Sequence, residues 1–149
     1  MKSDKSFKIA IVVSEFNEVI SDNLLKGATD KYNSLCSNNS CLEIYKVPGA
    51  FEIPGAINLL LKNSNFDAII ALGNIVKGET AHFEYISQAV TNSISEISCK
   101  SKIPIIFGIL TTYNYEQALE RSDCNKKDKG GEVMQAAFST ISTYNSIEN

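Results

Sequence analysis

The chain has 149 residues, 44% of them hydrophobic and 21% charged, with only 3 prolines, the proportions of a globular chain about one domain long rather than a disordered or fibrous one. Fourteen basic residues against seventeen acidic ones leave a formal charge of −3, with no basic surplus to neutralise nucleic-acid phosphates, so DNA and RNA are not expected as partners. Apolar stretches such as Ala68–Leu72 fall far short of the roughly 20 residues that span a bilayer, and Ile9–Val13 is too short for a secretory apolar region, so the protein is expected to be cytoplasmic with no membrane partner.

The cysteines, Cys36, Cys41, Cys99 and Cys124, form no CxxC pair, and the single histidine supplies a zinc site poorly. They are expected to be thiols, and no metal is expected. Among the 14 basic residues only Arg121 is arginine, which draws attention to any place where a planar guanidinium fork would be needed.

Four short β-branched runs, Phe7–Val13, Leu42–Val47, Asp67–Leu72 and Ile103–Leu110, suit buried strands. Helical periodicity falls between them. Asn17 to about Cys36 carries Ile20, Leu24, Ala28 and Leu35, with a start region at Ser21 and Asp22 and a loop at Asn38-Asn39-Ser40. Phe51 to about Leu61 is shorter, and Pro54 is tolerable there only in a first turn. His82 to about Ser98 places Phe83, Ile86, Val90, Ile94 and Ile97 on one stripe. After the fourth strand, Tyr115–Arg121 and Glu132 to about Tyr144 read as helices, separated by a polar link over residues 123–131. The order βαβαβαβαα calls for a four-stranded parallel sheet covered on both faces, a flavodoxin-like α/β three-layer sandwich in one domain of residues 1–149, with residues 1–6 as a flexible N-terminal segment.

In open α/β sheets, ligands gather outside the carboxyl ends of the strands, so the loops after Val13, Val47, Leu72 and Leu110 are the ones to read. The first contains Phe16, either a core cap under the first helix or a stacking platform for a flat ring. The second, Pro48-Gly49-Ala50-Phe51-Glu52-Ile53-Pro54, brings Glu52 into a first helical turn, where it either complements the dipole or accepts hydrogen bonds from a polyol. The third, Gly73 to His82, has Gly78 for backbone freedom and Thr80 as a candidate N-cap, an arrangement whose free amides could hold a phosphate. His82, the only imidazole, lies in that helix's first turn, as a surface or core residue or as an acid/base group beside the anion site. Phe107 is most simply core and Arg121 a helix C-terminal cation. Lys126, Lys127 and Lys129 form a solvated face or meet an anionic ligand.

Together these segments resemble the lumazine synthase family. Phe16-Asn17 with Ile20, the Pro48–Pro54 segment, Ala71-Leu72-Gly73, Gly78-Glu79-Thr80-Ala81-His82, Phe107-Gly108-Ile109-Leu110-Thr111 and Glu120-Arg121 occur in the family's order and spacing over nearly the whole chain. The resemblance implies that Phe16 stacks on a pyrimidinedione ring and that Ala50, Phe51 and Glu52 hold a ribityl chain. It implies that the backbone of Asn74, Ile75 and Val76 reads the polar ring edge, that Glu79 and Thr80 bind phosphate, and that His82 transfers protons. Phe107 and Arg121 match a group that enters the pocket from a neighbouring subunit, with Arg121 pairing to phosphate as a bidentate fork, and Lys129 matches a lysine near the ligand. The family usually has a small or polar residue where Asn74 sits, and the chain departs from it at Lys77, often arginine, and at Tyr113, near which an acidic or other polar group is usual.

The implied reaction condenses 5-amino-6-(D-ribitylamino)uracil with 3,4-dihydroxy-2-butanone 4-phosphate, the penultimate step of riboflavin biosynthesis, without metal or redox cofactor. The implied partners are the small-molecule substrates, further copies of the chain in pentamers or icosahedral shells, and riboflavin synthase as a candidate. The Arg121–Lys129 spacing lacks the insertion of pentamer-only members and favours a shell. A non-catalytic flavin- or lumazine-binding module of the same fold is the competing expectation. A phospho-receiver domain is disfavoured, because Ser14-Glu15 and Gly73-Asn74 supply no acidic cluster for magnesium.

Overall fold

The computed structural model describes residues 6–36 and 41–149. The loop expected at Asn38-Asn39-Ser40, and residues 1–5 of the N-terminal segment, lie outside the described residues. The elements run β1 (Ile9–Ser14), α1 (Glu18–Leu35), β2 (Leu42–Val47), a 3₁₀ turn (Ala50–Glu52), α2 (Ile53–Asn63), β3 (Ala68–Val76), α3 (His82–Lys100), β4 (Ile105–Thr112), α4 (Tyr115–Ser122) and α5 (Lys129–Glu148). The strands form one parallel sheet in the order β2-β1-β3-β4, consistent with the flavodoxin-like sandwich.

Alternation along the strands divides the core. Ile9, Ile11 and Val13 of β1 and Ala68, Ile70 and Leu72 of β3 face α1, α4 and α5. Ala10, Val12, Ile69, Ala71 and Ile75 face α2 and α3. Both faces are covered, so β1 and β3 read as unbroken apolar runs instead of an alternating pattern. Each fully buried isoleucine contributes about 1.5–3 kcal/mol from removal of apolar surface from water. On the first face, the Phe138 ring packs edge-on against Phe7 and Tyr32, with centroids 5.2 and 5.9 Å away. Gly108 on β4 is required by a close approach: a Cβ there would lie 2.8 Å from the Ala71 carbonyl and 3.1 Å from Val133 of α5. All four cysteines are thiols.

Several boundaries differ from the sequence expectation. Helix α1 begins at Glu18, so Ser21 and Asp22 lie inside its first turns rather than at its start, and the Ser21 N–H donates to the Asn17 carbonyl at 3.1 Å. Pro54 does fall at the start of α2, where its missing N–H costs nothing. Helix α5 starts at Lys129 instead of Glu132, because the Asp128 carboxylate caps it by accepting from the Gly131 N–H. The largest difference is in β3, which continues through Gly73–Val76, a segment expected as loop. These residues pair with Ile109–Thr112 of β4, while the pairing with β1 ends at Val13 and Leu72. The strand thus runs four residues past its last pair with β1, and Asn74, Ile75 and Val76 extend beyond the end of β1. No described helix is long and apolar enough to cross a membrane.

Candidate active site

The overhang of β3 and the loops leaving β1 and β2 build one wall each of a cleft. Two backbone bonds join the β1 and β2 exits, Glu15 N–H to the Val47 carbonyl at 2.8 Å and Phe16 N–H to the Pro48 carbonyl at 3.1 Å. Phe16 is held by its backbone, yet its ring is 69% exposed. It is not a core cap. Beyond Pro48-Gly49 the 3₁₀ turn buries Ala50 and leaves Phe51 61% exposed. Glu52 folds back so that Oε2 accepts from the Gly49 N–H at 2.9 Å, while its own N–H donates to the Gly49 carbonyl at 3.2 Å. Its carboxylate is therefore oriented by its own loop.

On β3 the side chain of Asn74 is buried, 3% exposed, and accepts from Asn17 Nδ2 at 2.7 Å while donating through Nδ2 to the Phe16 carbonyl at 3.1 Å. Past Val76 the exposed segment of residues 77–81 leads into α3. Thr80 Oγ1 accepts from the His82 N–H at 3.3 Å, but Thr80 stands one residue before the N-cap position, which Ala81 occupies. Gly78 has no positive φ, and a Cβ there would meet nothing within 4 Å. Conformational freedom is thus not what glycine supplies there; its lack of a side chain leaves the backbone bare on an exposed turn. Lys77 ties the turn back, its N–H donating to the Thr112 carbonyl at 2.9 Å and its Nζ standing 3.8 Å from Glu84.

Phe16, Ala50, Phe51, Glu52, Asn74, Ile75, Val76 and His82 line a single cleft of about 390 Å³. The structure thus brings these eight of the expected site residues together in one place. Glu79 and Thr80 do not line the cleft; they sit on the exposed turn entering His82. Phe107, Arg121 and Lys129 are elsewhere, along β4, α4 and α5, lining a second cleft of about 480 Å³ with Lys127 and Glu132. The Arg121 guanidinium donates only weakly, Nη1 to the Gln117 carbonyl at 3.4 Å, whereas Lys129 Nζ is paired with Glu132 at 3.1 Å. Phe107 is 37% exposed on this edge strand rather than core. Within one chain, the aromatic platform and imidazole are thus separate from the arginine.

Two residues to which the sequence assigns no separate role contact the expected site residues. Asn17 reads as a helix start, but its side chain makes no cap and is turned toward Asn74. Glu132 reads as the start of a helix, although its three-residue spacing from Lys129 is that of an ion pair.

The family model describing 6,7-dimethyl-8-ribityllumazine synthase matches residues 6–145. A protein of Sulfurospirillum multivorans named 6,7-dimethyl-8-ribityllumazine synthase is 39% identical over 142 residues, covering 95% of this chain and 91% of that relative. Another of the same name from Campylobacter hominis is 39% identical over 141 residues, covering 95% of this chain and 90% of that relative. With the motif segments gathered at the carboxyl ends of a parallel sheet, as such a site requires, the chain belongs to the 6,7-dimethyl-8-ribityllumazine synthase family of riboflavin biosynthesis.

Proposed function

We propose that this chain condenses 5-amino-6-(D-ribitylamino)uracil with 3,4-dihydroxy-2-butanone 4-phosphate to 6,7-dimethyl-8-ribityllumazine, releasing phosphate and water, at sites that join the first cleft of one copy to the second cleft of another. The observation that carries this reading is the division of the recognised residues: Phe16 and His82 line one cleft and Arg121 the other. A closed ring of copies brings such unlike faces together, in the pentamer or shell that the family implies.

In this reading the pyrimidinedione ring stacks on Phe16, the overhanging backbone of Asn74, Ile75 and Val76 meets its polar edge, and Ala50, Phe51 and Glu52 receive the ribityl chain. Glu52 suits a polyol because its carboxylate is already oriented by Gly49. The phosphate ester lies at the turn of Glu79 and Thr80, where bare amides precede α3. Arg121 of the adjoining copy pairs with it, Phe107 closes the ring side, and Lys129 adds charge already shared with Glu132.

The substrate amine attacks the ketone carbon and water leaves as the imine forms. Loss of a proton from carbon then expels phosphate, and after tautomerisation the second nitrogen closes the ring with loss of water. His82 carries protons at the carbon and oxygen centres, and the remaining acceleration comes from holding two reactants in one geometry. Riboflavin synthase would consume the product. Four thiols fit a cytoplasmic location.

The test mixes purified protein with both substrates and follows lumazine absorbance and fluorescence against an enzyme-free control. Product forming well above the control is expected; tight lumazine binding without acceleration would overturn the assignment in favour of a binding module.

A further inference from the structure

From the geometry we infer that Asn74 is a positioning residue for the ring platform: its buried side-chain amide clasps the Phe16-Asn17 corner and holds the exposed Phe16 ring ready for the flat substrate. This rests on the reading of Phe16 as the platform.

Three observations carry it. First, Asn17 adopts the left-handed conformation, φ 58° and ψ 68°, which asparagine tolerates better than most residues but which local side-chain hydrogen bonds must still favour over the ordinary helical start. Second, Asn17 occupies the N-cap position of α1 yet makes no side-chain cap; its Nδ2 donates instead to Asn74 Oδ1 at 2.7 Å. Third, the Phe16 carbonyl accepts from Asn74 Nδ2 at 3.1 Å and from Ser21 Oγ at 3.3 Å, while the Phe16 N–H donates to the Pro48 carbonyl. The backbone of Phe16 is thus tied on both sides and its ring is left in water.

An asparagine suits this task because one planar amide both donates and accepts, so it can bridge a carbonyl and an amide at once. A hydroxyl also donates and accepts, but from one atom held close to the backbone rather than from two spread along an amide, and a methyl satisfies neither partner. With Asn74 3% exposed, its direct reach is to the corner it clasps.

The test is a double-mutant cycle on the assembled full-length enzyme, with Asn74→Ala, Phe16→Ala and the pair. Asn74→Ala is expected to raise KM for the pyrimidinedione substrate about tenfold, with kcat and KM for the phosphate substrate within about twofold of the parent; in the Phe16→Ala background the same change is expected to have little further effect. Full additivity of the two changes, or an unaltered pyrimidinedione KM in Asn74→Ala, would overturn the inference. If Phe16→Ala itself leaves that KM unchanged, the platform reading falls and takes this one with it. Asn17→Gly, which suits the left-handed backbone and removes the Asn17 half of the clasp while the Asn74 bond to the Phe16 carbonyl stays, repeats the test should Asn74→Ala not fold: a smaller rise in the pyrimidinedione KM is expected, and an unchanged KM would overturn the inference.

Discussion

His82 and Arg121, placed in one pocket by the family resemblance, line two different clefts of the same chain, one between the β1–β3 exits and α3, the other along β4, α4 and α5. A single copy thus has two unlike clefts. If each working site draws on two copies, damage to opposite halves must be complementable in mixed assemblies.

Co-assembly of His82→Ala and Arg121→Ala chains in equal amounts is expected to restore about one quarter of the parental sites, because random neighbours unite two intact halves at that frequency in a closed ring. Activity of the mixture equal to the mean of the two separate variants would show that sites are not shared.

For His82→Ala alone, kcat should fall by roughly 10²–10⁴ while product still forms above the enzyme-free rate, since proton-transfer help is lost and proximity is retained. Steady-state kinetics with both substrates saturating is the check. An unchanged kcat would remove His82 from the chemistry.

Among the described residues Arg121 has one weak carbonyl partner, so its guanidinium is available to a phosphate. Arg121→Ala is expected to raise KM for the phosphate substrate about tenfold or more, and Arg121→Lys to recover only part of the loss, because a lysine cannot supply two parallel N–H bonds. Equal behaviour of the lysine variant and the parent would reduce the contribution to charge alone.

Tyr32 gives the alkaline prediction. Burial pushes its phenol up to about 12, above the ordinary value near 10, and its hydroxyl donates to the Phe7 carbonyl at 2.7 Å. A raised folded-state value means that the contribution to stability is complete below pH ~10 and is lost as pH rises through about 12. Tyr32→Phe should cost about 1 kcal/mol at neutral pH, and the gap between parent and variant should narrow from pH ~10 upward. Urea unfolding at several pH values tests this; a constant gap would show that the phenol does not titrate with folding.

Ser14 is fully buried beside Gly73, and its hydroxyl has no hydrogen-bond partner among the described residues. Removing an unsatisfied buried hydroxyl is close to neutral or favourable, so Ser14→Ala should shift stability by no more than about 1 kcal/mol in either direction, and more often upward. A urea midpoint showing a larger loss would mean that the hydroxyl is engaged in solution.

The parallel sheet was legible because β-branched runs alternate with helical periodicity, and the residues of the first cleft because they cluster after strand ends. The far end of β3 was not legible. Gly73 and Asn74 are turn-favouring residues locally, yet Ile109–Thr112 of β4 extends the pairing past them. The same extension buries Asn74 and turns an expected loop residue into the clasp on Phe16. Asp128 likewise starts α5 three residues early, through a cap made possible by a left-handed residue.

By itself, then, the sequence determined the order of elements, the apolar faces and the chemical identities carried to the carboxyl ends of the strands, because periodicity and residue type are local properties. The tertiary structure decided which of those residues share a cleft: α2 and α3 cover one face of the sheet and α4 and α5 the other, and packing on opposite faces separates His82 from Arg121.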